Sequence, residues 1–287
     1  MSNNVMNYLF ETNAFKIAPE NKPFWYTSGK IGPFFINAQF LYGSENDSKE
    51  LLDFIDSELE NTPKENIPKN IFEKVFNQYT NNSIFFEVIN ELKKYLEANI
   101  NIDEIDYVSG GERRDWYFSN ILAHLLNKPH ITIFKDLSMV KSSPDFAEST
   151  KEFSLQDKQV LHDADLLNQA SRYIRAWIPA IEEKGGKIAW SAVMVDRLQG
   201  GTEKLEDAGI KSFSLLNIDN TLFEKALELG IINEAQLEML KSFKQDPDGS
   251  MRQFLIDNPN FLQDALNSDE KSAKRAKLCI DSNIYNL

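Results

Sequence analysis

Two clusters in this chain have residue types suited to chemistry and lie where a fold would collect them. One is Asp163 and Asp165, with Asp196 and Arg197 further along. The other is the run Ser109-Gly110-Gly111-Glu112-Arg113-Arg114-Asp115. Carboxylates accept hydrogen bonds from hydroxyls or from metal-bound water. Paired glycines let a backbone approach a ligand closely, and the N–H groups opening a helix hold anions. Arg113 and Arg114 supply fixed charge suited to phosphate or carboxylate. The same charged run also reads as a solvated, self-paired helix start, and the residues alone leave both readings open.

The elements that must position these groups are legible in residues 158–197. Gln159-Val160-Leu161-His162 is a short strand ending at Asp163, and Asn168, Gln169, Ala170 and Ser171 form a loop. Tyr173, Ile174, Trp177, Ile178 and Ile181 then recur at helical spacing. Gly185-Gly186 stops that helix, because glycine tolerates the left-handed conformation at a helix C-terminus. The apolar run 188–195 is a second strand, ending at Asp196 and Arg197. Strand, helix and strand make a βαβ unit, a right-handed parallel crossover. Ligands in such sheets gather at the carboxyl ends of the strands. Residues 105–108 form another strand, which runs into the Ser109–Asp115 cluster as a loop.

Composition narrows the function class. A length of 287 residues suits one large domain, or one domain with a helical extension. The net charge of −13 disfavours a nucleic-acid binder and an anionic membrane surface, while allowing a small anionic ligand. Cys279 is the sole cysteine, so there is neither an intrachain disulfide nor a zinc-type cluster. No signal-peptide pattern or long apolar run stands out, so the expectation is a cytoplasmic protein. His162 reads as a buried, satisfied strand histidine rather than a general base, and Trp116 as packing.

Elsewhere, residues 5–15, 48–59, 70–79 and 83–98 are expected helices, and 15–30 a hairpin turning at residues 19–22. Residues 33–37, 130–134 and 213–218 are expected strands. The polar stretch 135–157 reads as a lid, a binding loop or a disordered segment. Everything after residue 221 is helical.

Taken together, these features resemble a type I phosphoribosyltransferase, and among those the orotate phosphoribosyltransferases, over roughly residues 10–220. Thr27-Ser28-Gly29-Lys30 with Pro33-Phe34-Phe35-Ile36-Asn37 is similar to the family's N-terminal segment. Leu125-Leu126-Asn127-Lys128-Pro129 resembles its helix end, and Val195-Asp196-Arg197 with Gly200-Gly201 its Asp-Arg strand end. The resemblance implies an α/β fold with a parallel sheet, an N-terminal hood (1–45) within a domain spanning 1–220, and a C-terminal helical extension (221–287). It implies transfer of the phosphoribosyl group of phosphoribosyl diphosphate (PRPP) to orotate or a related base, with Mg²⁺ arriving on PRPP and no protein-held metal. Asp163 and Asp165 would then hold ribose or metal-bound water, while Arg113 and Arg114 face the diphosphate beside Ser109, Gly110 and Gly111. Asn168, Gln169 and Ser171 would take the 5-phosphate, Arg197 would orient the base, and Lys30 and Phe35 would touch substrate. The resemblance also implies a homodimer.

The sequence departs from the family at the PRPP site. The acidic pair is spaced as Asp163-Ala164-Asp165, and the phosphate loop Leu167-Asn168-Gln169-Ala170-Ser171 has neither glycine nor threonine. Three readings stay open: a transferase, a silent nucleotide- or PRPP-binding module, and another reaction on a phosphoribosyl substrate.

Overall fold

The computed structural model describes residues 3–287. The chain opens with α1 (Asn3–Glu11), β1 (Phe15–Ile17), β2 (Phe24–Trp25), β3 (Ile31–Gly32) and β4 (Phe34–Ile36). Three helices follow, α2 (Glu45–Asn61), α3 (Ile67–Asn81) and α4 (Ser83–Asn99). Then come β5 (Tyr107–Gly111), α5 (Trp116–Leu125), β6 (His130–Ile133), β7 (Met139–Ser142), β8 (Ser149–Thr150) and β9 (Gln159–Leu167). A π-helical turn, Tyr173–Trp177, leads into α6 (Ile178–Glu183), β10 (Lys187–Asp196), α7 (Gly201–Asp207) and β11 (Lys211–Asn217). The chain closes with α8 (Asn220–Glu228), α9 (Glu234–Gln245), α10 (Pro247–Asp257), α11 (Phe261–Leu266) and α12 (Glu270–Asp281). No helix among the described residues is long and apolar enough to cross a membrane.

Two compact units emerge: Asn37–Ile218 with the N-terminal helix, and Phe15–Ile36 with Asp219–Leu287. The first unit holds a seven-stranded sheet in the order β11-β10-β9-β5-β6-β7-β8. Strands β11, β10, β9, β5 and β6 are mutually parallel. The central strands β9 and β10 are buried almost throughout, β10 as the near-continuous apolar run expected of a strand covered on both faces and β9 with His162 and Asp163 buried among its apolar residues. The parallel strands occur in the doubly wound order 2-1-3-4-5, and the order reverses between β5 and β9.

The stretch 135–157 is an ordered edge rather than a lid. Its strands β7 and β8 extend the sheet antiparallel, and Phe146 stacks on Phe72 at 4.4 Å. Met139, Val140, Phe146 and Leu155 are buried, and these four anchors outweigh the polar composition between them.

The second unit revises the expected hood. Residues 15–36 do not form one hairpin; β1 pairs with β4, and β2 with β3 nested inside. They group with the C-terminal helices instead of with the sheet. Phe34 packs on Phe15 at 5.2 Å and on Phe243 at 5.6 Å, and Trp25 stacks on Phe261. The Ile31 N–H donates to the Tyr285 hydroxyl at 2.8 Å, and Arg275 donates to the Trp25 carbonyl at 2.8 Å. Local patterning cannot reveal aromatic partners more than two hundred positions apart in sequence.

Candidate functional site

The β5 and β9 ladder ends at Ser109 opposite His162, although both strands continue. Where they part, a cavity of about 650 Å³ opens at their carboxyl ends. It is lined by Asp56, Glu112, Arg113, Arg114, Asp115, Lys135, Asp165, Leu166, Asn168, Arg172 and Trp177. A second recess, about 430 Å³, adjoins through shared residues and is lined by the 166–173 segment with Trp177 and Gln199.

Four cations converge on the larger cavity within a chain of net charge −13. Arg113 is ion-paired with Asp56 of α2. Arg172 donates to the Glu112 carbonyl at 3.1 Å and lies over the Trp177 ring at 6.0 Å. The Glu112 carboxylate accepts from the Lys135 backbone N–H at 2.9 Å, tying the ends of β5 and β6 together. Burial pushes the Asp165 carboxyl up, and the neighbouring Arg114 guanidinium opposes that rise. The arrangement suits a polyanion flanked by hydroxyls.

The loop after β9 keeps a tight turn without glycine. Ala170 sits at φ 52°, in the left-handed region, with its side chain buried. Asn168, Gln169 and Ser171 remain exposed around the smaller recess. Gly201 packs against this loop, because a Cβ there would lie 2.5 Å from the Asn168 carbonyl oxygen. Holding alanine left-handed costs about 1–2 kcal/mol, offset by its lower unfolded-state entropy and its buried methyl, so Ala170→Gly should leave stability within about 1 kcal/mol of wild type in urea melts.

Several predicted site residues fall elsewhere. Ser109, Gly110 and Gly111 belong to β5, not to a loop, and all are buried. The Ser109 hydroxyl is engaged with His162 Nδ1 at 2.8 Å. Gly110 makes room for Ser119, and Gly111 for Trp177, whose Nε1 would lie 2.5 Å from an added Cβ. These glycines serve packing; overpacking by Gly111→Ala should cost about 1–3 kcal/mol in the same melts. β9 runs past Asp163 to Leu167, which seals Asp163 in the interior with neither carboxylate oxygen hydrogen-bonded. Burial, then the nearby Asp115 and Asp165, hold the Asp163 carboxyl well above the usual carboxylate range. Asp196 caps its own loop, accepting from the Leu198 N–H and the Thr202 hydroxyl at 2.7 Å each. Arg197 is half-buried at the end of β10 and lines neither cavity; its N–H donates to the Leu167 carbonyl at 2.9 Å. Lys30 and Phe35 belong to the second unit, where Lys30 pairs with Asp248 at 2.7 Å and Phe35 packs on Phe24 and Tyr26.

Arg113, Arg114, Asp165, Asn168, Gln169 and Ser171 do line the two cavities. Sequence reasoning missed Asp56, Glu112, Asp115, Arg172 and Trp177 as lining, and placed Lys135 in a lid. Lys135 follows β6 directly, so the strand-end rule would have found it. Asp56 had no such signal, being one of many acids on an amphipathic helix. Among the described residues, no group of three or more His, Cys, Asp or Glu side chains is placed to hold a metal.

The sheet order, its switch point and the cavity there can be compared with solved structures. UMP synthase from Leishmania donovani superposes with a TM-score of 0.57 at 15% identity, covering 84% of this chain and 42% of that one. Orotate phosphoribosyltransferase from Francisella tularensis gives 0.54 at 14% identity, over 84% of this chain and 96% of that one. The fold is that of a type I phosphoribosyltransferase. The chain spans less than half the length of the Leishmania protein. No protein-family model matches the sequence, and no curated protein does.

Proposed function

We propose that the chain is a phosphoribosyltransferase that moves the phosphoribosyl group of PRPP to orotate or a related anionic base. The observation that carries this reading is the cluster Arg113, Arg114, Lys135 and Arg172 around Asp165, at the switch point of the sheet. A base nitrogen attacks ribose C1, the bond from C1 to the diphosphate oxygen breaks, and its electron pair leaves with diphosphate. Arg114, Lys135 and Arg172 stabilise the charge on that leaving group. Asp165 accepts a ribose hydroxyl, and Asn168, Gln169 and Ser171 hold the 5-phosphate in the smaller recess. Mg²⁺ enters as part of the substrate, bound to the diphosphate oxygens.

One observation favours a second reading, binding without turnover. Asp163 is sealed and Ala164 occupies the intervening position, so of the two aspartates on β9 only Asp165 lines the cavity. Calorimetric titration with Mg-PRPP, followed by an assay of diphosphate release with orotate, separates the two. The transferase reading expects saturable PRPP binding and base-dependent release. Binding without release under any anionic base supports the silent module, and no binding at millimolar PRPP ends both readings. Sedimentation of the pure chain tests the homodimer that accompanies this proposal.

A further inference from the structure

We infer that Asp115 is a positioning residue, a side-chain clamp that replaces the missing β5–β9 ladder and sets Asp165 at the cavity. The inference rests on the transferase reading only for the substrate it names.

In a parallel pair the backbone N–H groups of each strand are satisfied by the neighbour. Here the register stops at Ser109 opposite His162, while β5 continues to Gly111 and β9 to Leu167. The strands must part there, since the cavity occupies the gap. Parting leaves buried N–H groups without strand partners. Asp115 answers two of them: its Oδ2 accepts from the Gly111 N–H at 3.0 Å and its Oδ1 from the Asp165 N–H at 3.1 Å. One carboxylate thus bridges the last residue of β5 and the functional residue of β9.

The placement of Asp115 in sequence makes this use of it informative. It occupies the position preceding α5, where an aspartate ordinarily accepts from the helix's own first-turn N–H groups. Its side chain makes no such capping bond and turns to the two strands. The side chain is buried, so the bridge is shielded from water. His162 Nε2 lies 4.0 Å from Oδ2, but burial leaves that imidazole neutral and the approach is not an ion pair. The Asp115 carboxyl, held well above the usual carboxylate range by burial and then by Asp165, also hydrogen-bonds the Asp165 side chain, so the bridge holds both the backbone and the carboxyl of that residue.

Asp115→Asn keeps the shape but offers a single acceptor oxygen, so one of the two N–H groups loses its partner. The first measurement is amide hydrogen exchange by NMR. In the wild type, the Gly111 and Asp165 amides should be as protected as the Val108 amide, which donates to the Pro129 carbonyl on the β6 side of the sheet. In the variant, at least one should exchange roughly tenfold faster or more, relative to the ladder. The second measurement is ligand affinity. PRPP should bind the variant roughly tenfold more weakly, while inorganic diphosphate, which has no ribose hydroxyl to offer Asp165, should change less than about twofold. A merely structural role lowers thermal stability and leaves the ratio of these two affinities unchanged, which overturns the positioning role. Should the variant not fold, wild-type exchange decides: Gly111 and Asp165 amides as fast as that of exposed Asn168 overturn the clamp. A wild type that binds neither ligand removes the transferase reading and leaves the exchange measurement to judge the clamp by itself.

Discussion

Replacing Arg114 with alanine is expected to lower kcat/KM for PRPP about a hundredfold or more, the scale for losing one preorganised charge at a leaving group. Steady-state kinetics at saturating base would measure it. The two adjacent arginines are not equivalent. Arg113 is ion-paired with Asp56, so part of its field is already neutralised. Arg114 is exposed beside Asp165 and opposes the burial-driven rise of that carboxyl. Arg113→Ala is accordingly expected to cost less, about tenfold, even though it unmasks Asp56 beside the incoming diphosphate. Equal losses for the two variants would show that the Asp56 pair does not persist with substrate bound.

The second large effect concerns pH. His130 and His162 are fully buried, and burial pulls both imidazoles down to about 3. Their folded values lie below the unfolded one, so the stability they contribute is present above about pH 6.5 and is lost as pH falls. Each costs about 2 kcal/mol by roughly pH 5. Asp163 has the opposite sign. Its carboxyl is held well above its unfolded value, so its contribution is complete below about pH 4 and is lost as pH rises. As pH rises from about 4.5 these terms oppose one another, and the wild-type stability curve should be flatter than the two histidines alone would make it. Asp163→Asn should steepen the acid loss by about 1.4 kcal/mol per pH unit, and His130→Gln should reduce it by a similar slope. Urea midpoints across that range give the slopes directly. Above about pH 6.5 the histidines are silent.

These effects also mark how far the sequence could be read. The apolar run 188–195, the stop at Gly185 (φ 86°) and the chemistry at strand ends were all legible locally, since periodicity and glycine report on nearby backbone. So was the naming of Arg114 as a site residue, because it stands just past the end of the parallel strand β5. The resemblance reached the correct fold through a few short phrases in the right order.

Tertiary structure decided the rest. Whether Asp163 or Asp165 faces the cavity depends on how far β9 pairs with β10, and those partners continue to Leu167 opposite Asp196. Whether Gly110 and Gly111 cradle a ligand or admit a neighbour depends on Ser119 and Trp177, which pack against them. Asp56, Arg172 and Lys135 reach the site from separate elements, and Phe15–Ile36 joins helices at the far end of the chain. Local sequence determines which face of a strand or helix is apolar. Which other segment covers that face, and where two paired strands are forced apart, is set by contacts between distant residues. That separation is what makes the cavity here and turns Asp115 from a helix cap into a bridge.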